Sequence, residues 1–297
     1  VAAGIYSYAP LAQRSLNKIA GILRQEMDAA GGQEVGLPAV QPQELWEQTG
    51  RSDALGQTMV RLKDRRDRAM VVAPTHEEVI TQMVRANVTS YRDLPVIPYQ
   101  IQTKFRDEVR PRAGLIRGRE FTMKDAYSFD IDEEGLALSY QRMMQAYRNI
   151  FQRCGLPTMA VEADSGAIGG KDSHEFILPC EAGEDSVLHC QQCGYAANAE
   201  RASFRLPPVS AEPELPLQEV ATPGAKTIAE VANFLDVPES KTLKAVFYVA
   251  DGEVVFVIIR GDLEVNEVKL RNALHARDLR LASDEETVQS GLVVGSA

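Results

Sequence analysis

Residues 101–130 read IQTKFRDEVRPRAGLIRGREFTMKDAYSFD, and this stretch decides the fold. Two segments rich in aromatic and β-branched residues, 101–109 and 120–129, flank a connector that carries Pro111, Gly114 and Gly118. That pattern predicts two antiparallel strands joined by a mobile, arginine-rich loop. Lys104, Arg106, Arg110, Arg112, Arg117, Arg119 and Lys124 crowd into it, against Asp107, Glu108, Glu120 and Asp125. The chain as a whole has a net charge of −10. An acidic protein that gathers so many guanidinium groups in one hairpin is built to hold a polyanion there.

Outward from the hairpin, 297 residues suffice to bury a sizeable core and suggest two domains. The composition, 44% hydrophobic and 25% charged, is that of an ordinary globular protein. No apolar run is long enough to cross a membrane, and no signal peptide is legible at the N-terminus. The first residue is not Met, so a segment before Val1 is expected to be missing. Four cysteines, Cys154, Cys180, Cys190 and Cys193, are too few and too scattered for a disulfide scaffold, which favours a cytoplasmic protein. A pI near 5.1 argues against a general nucleic-acid coat but leaves room for RNA on a local basic face.

Before the hairpin, residues 10–29 predict an amphipathic helix through Leu16, Ile19, Leu23 and Met27, stopped by Gly31 and Gly32. Residues 34–40, EVGLPAV, predict a short strand that Pro38 pushes toward a sheet edge or a dimer seam. A buried strand at 70–73 runs into Pro74-Thr75-His76-Glu77-Glu78, and a helix over 78–87 follows. Thr75 with Glu78 matches a capping box. At a strand end, however, Thr75 and Glu77 could also hold a substrate ammonium.

After the hairpin, a long helix over 132–154 precedes a strand at 156–161 and the glycine-rich ADSGAIGGKDSHEF at 163–176. The loop lacks the spacing of a Walker or dinucleotide phosphate cradle, so its glycines are expected to let backbone pass close to a ligand. Cys190-Gln191-Gln192-Cys193-Gly194 has the shape of a zinc-knuckle turn, yet supplies half of a tetrahedral site. Prolines 207, 208, 213, 216 and 223 then mark an extended linker. Beyond it a new α/β unit begins, with Thr227 and Glu230 capping a helix and Asp251-Gly252 turning a hairpin.

With these elements placed, the chain resembles the bacterial-type prolyl-tRNA synthetases, a class II aminoacyl-tRNA synthetase family. FRDEVRPRAGLIRGREFTMKDAYSF carries the second class motif: Phe105-Arg106-Asp107-Glu108, a loop, then Arg117, Phe121 and Asp125. GGQEVGLPAV resembles the first motif, and PTHEEVI, ADSGAIGGKDSHEF and CGYAANAERA are further stretches of that kind. The resemblance implies an α+β fold, with a class II antiparallel sheet flanked by helices and a second, inserted α/β editing domain, here truncated. It implies a catalytic core over 1–204, a proline-rich linker over 205–224 and a partial editing domain over 225–297.

The implied function is ATP-dependent ligation of proline to proline tRNA through prolyl-adenylate, with Mg2+ accompanying ATP. By resemblance Arg106 bridges the α-phosphate and the substrate carboxylate, Glu108 accepts from the adenine amino group, Phe121 stacks on adenine and Arg117 reaches the γ-phosphate. Thr75 and Glu77 take the proline nitrogen, and His174 walls the pocket. In the editing domain, which removes mischarged alanine, the functional lysine matches Lys244, or Lys241 in another register. No catalytic or structural metal ligand is assigned. The first motif, around Gly32 and Pro38, implies a homodimer.

The third class motif and an anticodon-binding domain are not found, so the chain reads as a front portion, expected to be inactive alone. Two other classes compete with this reading. A stand-alone deacylase would need Lys244 but not Arg106. A dead RNA-binding or regulatory paralogue would lack motif residues that stand here intact. Threonyl, seryl and glycyl enzymes are the rivals within the class, and the THE triplet at 75–77 argues against them.

Overall fold

The computed structural model describes residues 1–166, 170, 172–205 and 216–291. The chain divides into two compact units, Val1–Met159 with Phe176–Gly183, and Ala160–Glu175 with Glu184–Ala297.

The first unit begins with helix α1 (Pro10–Ala29), strands β1 (Gly32–Glu34) and β2 (Val40–Pro42), and helices α2 (Gln43–Gln48) and α3 (Arg51–Ala54). Strands β3 (Val60–Lys63) and β4 (Ala69–Val72) follow, then helix α4 (Glu77–Asn87), strands β5 (Ile97–Phe105) and β6 (Glu120–Ala126), and helix α5 (Glu133–Arg153). α1 matches the expected helix, with Pro in its first turn and Gly31 at φ 88° just beyond its end. α5 opens on the Asp132 side chain, which accepts from the Gly135 N–H at 2.8 Å.

The strand expected over 34–40 is instead two strands, β1 and β2, with an irregular turn between them. Gly36 and Pro38 explain the break, since one weakens a strand and the other cannot donate to a ladder. β1 pairs in parallel with β5, and β5 pairs antiparallel with β6, giving the order β1–β5–β6. β2, β4 and β3 form a second, antiparallel sheet.

The two faces of the β5–β6 pair differ in kind. Residues opposite each other across a ladder share a face. Tyr99 and Ile101, with Ala126, join Met27, Ala146 and Ile150 of α1 and α5 in one apolar core. The other face carries Gln100 opposite Asp125, Gln102 opposite Met123, and Lys104 opposite Phe121. It is polar and buried: Gln100 and Lys104 are each 1% exposed. A second core, of Leu45, Trp46, Met59, Val71 and Ala73, fixes the β2–β4–β3 sheet and α2.

Strands β7 (Met159–Glu162) and β8 (His174–Ile177) carry the chain across the division between the units. With β9 (Val187–His189) and β10 (Ala196–Asn198) they form a sheet of order β8–β7–β10–β9. The second unit continues with α6 (Ile228–Leu235), β11 (Leu243–Ala250), β12 (Glu253–Arg260), α7 (Glu267–Leu274), β13 (Leu279–Leu281) and α8 (Asp284–Gln289). α6 has the expected capping box between Thr227 and Glu230. The β11–β12 hairpin turns at Asp251 and Gly252, both at positive φ as a type I′ turn requires. Among the described residues no helix is long and apolar enough to cross a membrane.

Candidate active site

The polar face of the β5–β6 hairpin is the floor of the site, and β5 ends one residue before Arg106. The Arg106 backbone N–H donates to the Arg119 carbonyl at 2.8 Å, continuing the ladder one step past the strand. Its guanidinium lies over the Phe121 ring, 5.5 Å from the centroid, and its Nε donates to the Pro74 carbonyl at 3.2 Å. Arg106 is therefore clamped at one edge, with the rest of its planar fork free to bind an anion bidentately.

Beyond Arg106 the loop is held by charge. Arg117 Nε lies 3.0 Å from a Glu108 carboxylate oxygen, and Arg119 Nε donates to the Glu108 carbonyl at 2.9 Å. Arg117, with the Arg110 backbone N–H, holds the Glu108 carboxyl below its usual range. Arg112 and Arg117 form an isolated antiparallel bridge across the loop. The Gly4 carbonyl accepts from the Arg119 N–H at 2.7 Å, so the N-terminal segment laps against the returning strand. A side chain at Gly118 would press to 3.1 Å from that carbonyl, which is why glycine stands there.

Facing the hairpin is the turn from β4 into α4. The Thr75–Glu78 capping box does not form: α4 begins at Glu77 with His76 as its N-cap and no side-chain cap. The Thr75 hydroxyl donates to Glu77 Oε2 at 2.6 Å instead. Arg51 Nη1 pairs with Glu77 at 3.1 Å and with Glu78 at 2.9 Å, while the Thr49 hydroxyl donates to Glu78 at 3.0 Å. The hydroxyl and carboxylate expected to meet an amine thus stand side by side, one of them backed by a guanidinium. Pro74 links the two halves, since its carbonyl receives Arg106.

Beneath that turn lies a buried network that sequence reasoning missed. His76 is fully buried, with Nε2 3.1 Å from the Pro38 carbonyl and Nδ1 2.7 Å from Lys104 Nζ. Lys104 Nζ also donates to Gln102 at 3.3 Å and forms an ion pair with Asp125 Oδ1 at 3.0 Å. Asp125 Oδ2 accepts from Gln100 at 3.0 Å and from the Tyr127 hydroxyl at 2.6 Å. A lysine ammonium has only protons to give, so His76 Nδ1 accepts and Nε2–H donates to Pro38, which fixes the neutral tautomer. Burial and the Lys104 charge push the His76 pKa down in agreement with that assignment. Tyr127, half-buried and hydrogen-bonded to Asp125, has its phenol pushed well up.

The remaining candidates lie in the second unit. His174 opens β8 and is exposed. Gly169 and Lys171 of the glycine-rich loop lie outside the described residues. Lys244, the second residue of β11, is 19% exposed in its side chain and donates to Glu264 at 2.6 Å. Lys241 sits in the short 3-10 turn before that strand and is exposed. The Cys190–Cys193 turn caps the β9–β10 hairpin, with Gly194 at φ 76° and both thiols free. No group of three or more His, Cys, Asp or Glu that could hold a metal occurs among the described residues.

Arg106, Glu108, Arg117 and Phe121 were singled out by resemblance to the family's second motif, and Thr75 and Glu77 by their place at a strand end as well. In sequence Lys104 is only one more cation of the hairpin. His76 and Arg51 gave no signal beyond their residue type. A register count would have helped, because period-two alternation puts Gln100, Gln102 and Lys104 on one side of β5, opposite Tyr99 and Ile101.

Comparison with known proteins agrees with this geometry. Residues 60–230 match the family described as tRNA synthetase class II core domain (G, H, P, S and T), and residues 222–297 match the aminoacyl-tRNA editing domain. A proline–tRNA ligase of Dehalococcoides mccartyi is 58% identical over 295 residues, covering 99% of this chain and 52% of that protein. One from Moorella thermoacetica is 56% identical over 285 residues, covering 96% of this chain and 50% of that protein. The chain thus spans about half the length of the curated relatives it matches.

Among solved structures, the prolyl-tRNA synthetase of Cryptosporidium parvum, complexed with L-proline and AMP, superposes with a TM-score of 0.53. It shares 17% identity, over 59% of this chain and 36% of that one. That of Giardia lamblia, with prolyl-adenylate, has a TM-score of 0.51 at 20% identity, over 54% of this chain and 34% of that one. At these identities the superpositions speak for the fold, and the family assignment rests on the match over 60–230. The chain belongs to the class II tRNA synthetase core family, with an aminoacyl-tRNA editing domain following its core.

Proposed function

We propose that this chain is the front portion of an enzyme that activates proline with MgATP and passes it to proline tRNA, and that its second domain hydrolyses mischarged alanyl-tRNA. The observation that carries the reading is the apposition of two chemistries within one unit. Arg106 on its Phe121 platform meets the strand-end pair of Thr75 and Glu77 through the Pro74 carbonyl. One side of that apposition suits a phosphate and a carboxylate, the other a secondary ammonium.

In this reading the free edge of Arg106 bridges the α-phosphate and the proline carboxylate, where negative charge grows during in-line attack. Adenine exchanges the Arg106 contact for its own stack on Phe121 and takes a hydrogen-bond acceptor from Glu108. Arg117 leaves Glu108 for the γ-phosphate. Thr75 and Glu77 hold the proline nitrogen. No side chain has to act as a nucleophile, since the substrate carboxylate does. Lys244, or Lys241 beside it, serves the editing reaction. The core would run over 1–204 and the editing domain over 225–297, joined by the linker over 205–224. Two copies would meet through the first motif near Gly32 and Pro38, where Val40 is 45% exposed. Four scattered cysteines with no disulfide pattern support a cytoplasmic location.

The test uses the 297-residue chain itself. A non-hydrolysable prolyl-adenylate analogue, titrated calorimetrically, should bind at least about tenfold more tightly than the threonyl analogue. Equal affinity for the two, or no binding of either, would overturn the proline reading. A stand-alone deacylase or a dead RNA-binding paralogue would give the same null result.

A further inference from the structure

The buried network under the Thr75–Glu77 turn touches both halves of the site. Lys104 stands two residues before Arg106 and directly opposite Phe121 on β6. Its ammonium, 1% exposed as a residue, reaches the imidazole of His76, the residue between Thr75 and Glu77. A second route runs from the His76 backbone N–H to the Tyr127 hydroxyl at 3.2 Å, and from that hydroxyl to Asp125 at 2.6 Å. Asp125 closes the circuit through its ion pair with Lys104 at 3.0 Å. Two of these links, Lys104–His76 and His76–Tyr127, join the β5–β6 floor to the turn that carries Thr75 and Glu77.

A buried ion pair is weak evidence for stability, because apolar residues of similar volume often serve as well. Its best-attested use is to fix one registry against alternatives. Here the registry in question is that of the 74–77 turn over the strands. We propose that Lys104 is a positioning residue for amine recognition: through His76 and the Asp125–Tyr127 pair it holds Thr75 and Glu77 at a set distance from the nucleotide subsite. This rests on Thr75 and Glu77 holding the substrate nitrogen, as proposed above. Lys104 touches no substrate atom itself, and acts through the turn.

The groups facing His76 are Lys104 from β5, Asp125 and Tyr127 from β6 and the residue after it, Glu77 from α4, and the Pro38 carbonyl. Lys104 is the neighbouring cation that opposes a proton on this imidazole, while Asp125 and Glu77 favour one. Taking away the Lys104 charge while leaving both carboxylates must therefore let His76 protonate at higher pH.

Two measurements on the 297-residue chain test the proposal. The first compares the prolyl-adenylate analogue with its cyclopentanecarbonyl counterpart, which lacks the ring nitrogen. Wild type should prefer the prolyl compound by about tenfold or more, and Lys104→Met should cut that preference to about twofold, a coupling of ordinary allosteric size. Equal weakening of both compounds, as lost folding alone would give, overturns the proposal. Tyr127→Phe removes a single hydroxyl from the second route and should reduce the preference in the same direction. The second measurement needs no ligand. The His76 imidazole, followed by NMR, should titrate at higher pH in Lys104→Met than in wild type. An unchanged titration overturns the coupling even if proline is not the substrate. A shifted titration with no binding of the prolyl compound by wild type instead leaves the coupling standing and sinks the substrate reading.

Discussion

At the residue scale, what distinguishes Arg106 is not its charge but the way its plane is used. Its Nε is committed to the Pro74 carbonyl and, until adenine takes the ring, its face to Phe121, so the opposite edge is aimed before the nucleotide arrives. Lysine can supply the charge but neither the planar stack nor the fork. Arg106→Ala should weaken the prolyl-adenylate analogue by roughly 10- to 100-fold, the worth of a charge-assisted hydrogen bond or two. Arg106→Lys should recover less than half of that free energy, and full recovery in calorimetry would show that only charge matters. Such a residue is legible in sequence because its motif neighbours travel with it. Lys104 is not, although it sits two positions away. Composition reads every lysine as surface, and only the register of β5 against β6 reveals that this one faces inward, onto Asp125 and His76. Leaving Asp125 buried without it would cost about 3–5 kcal/mol.

At the scale of elements, the helices were legible wherever a long apolar stripe met a clear stop signal. α1 has both, and Met27 from its stripe meets Tyr99 in one core, to which α5 adds Ala146 and Ile150. The strands β1 and β2 were misjudged as one because an apolar run masked the turn at Gly36 and Pro38. That irregularity has a use: the Pro38 carbonyl it exposes receives His76, and the Leu37 carbonyl receives Gln102 at 2.5 Å. Short strands such as β9, β10 and β13, of three residues each, are too brief to declare a period. α6 lies at the other extreme, because its capping box was readable from Thr227 and Glu230 alone. The Glu230 carboxylate accepts from the Thr227 N–H at 2.9 Å and from the Lys226 N–H at 2.8 Å, which also lowers its pKa. Thr227→Ala should destabilise α6 by about 1 kcal/mol. Amide hydrogen exchange in 228–235 should then quicken by about fivefold if local opening governs it. Unchanged exchange would mean that packing, not the cap, holds the helix.

At the scale of the whole molecule, the chain joins two family matches whose chemistries are independent in principle. In the proposed reading, activation needs the nucleotide and Arg106, whereas hydrolysis of an aminoacyl ester needs neither. There is a physical reason to combine them. A pocket shaped for proline gains only about 1–3 kcal/mol per missing methylene against a smaller amino acid, so it cannot reject alanine by binding alone. A second site that accepts only the smaller product supplies the missing discrimination. If the reading of both domains is right, the two activities must separate by mutation. Lys244→Ala should abolish hydrolysis of alanyl-tRNA while leaving the prolyl-adenylate analogue bound as in wild type. Arg106→Ala should do the reverse. Lys244 is suited to the role because its ammonium is drawn to a carboxylate, Glu264, that is itself 90% exposed and open to exchange for an incoming group. Lys241→Ala, run beside it, decides the register. If hydrolysis survives Lys244→Ala and fails with Lys241→Ala, the functional lysine is the one in the turn. If both variants hydrolyse alanyl-tRNA within about twofold of wild type, a change below 0.5 kcal/mol, the editing assignment of this strand is wrong.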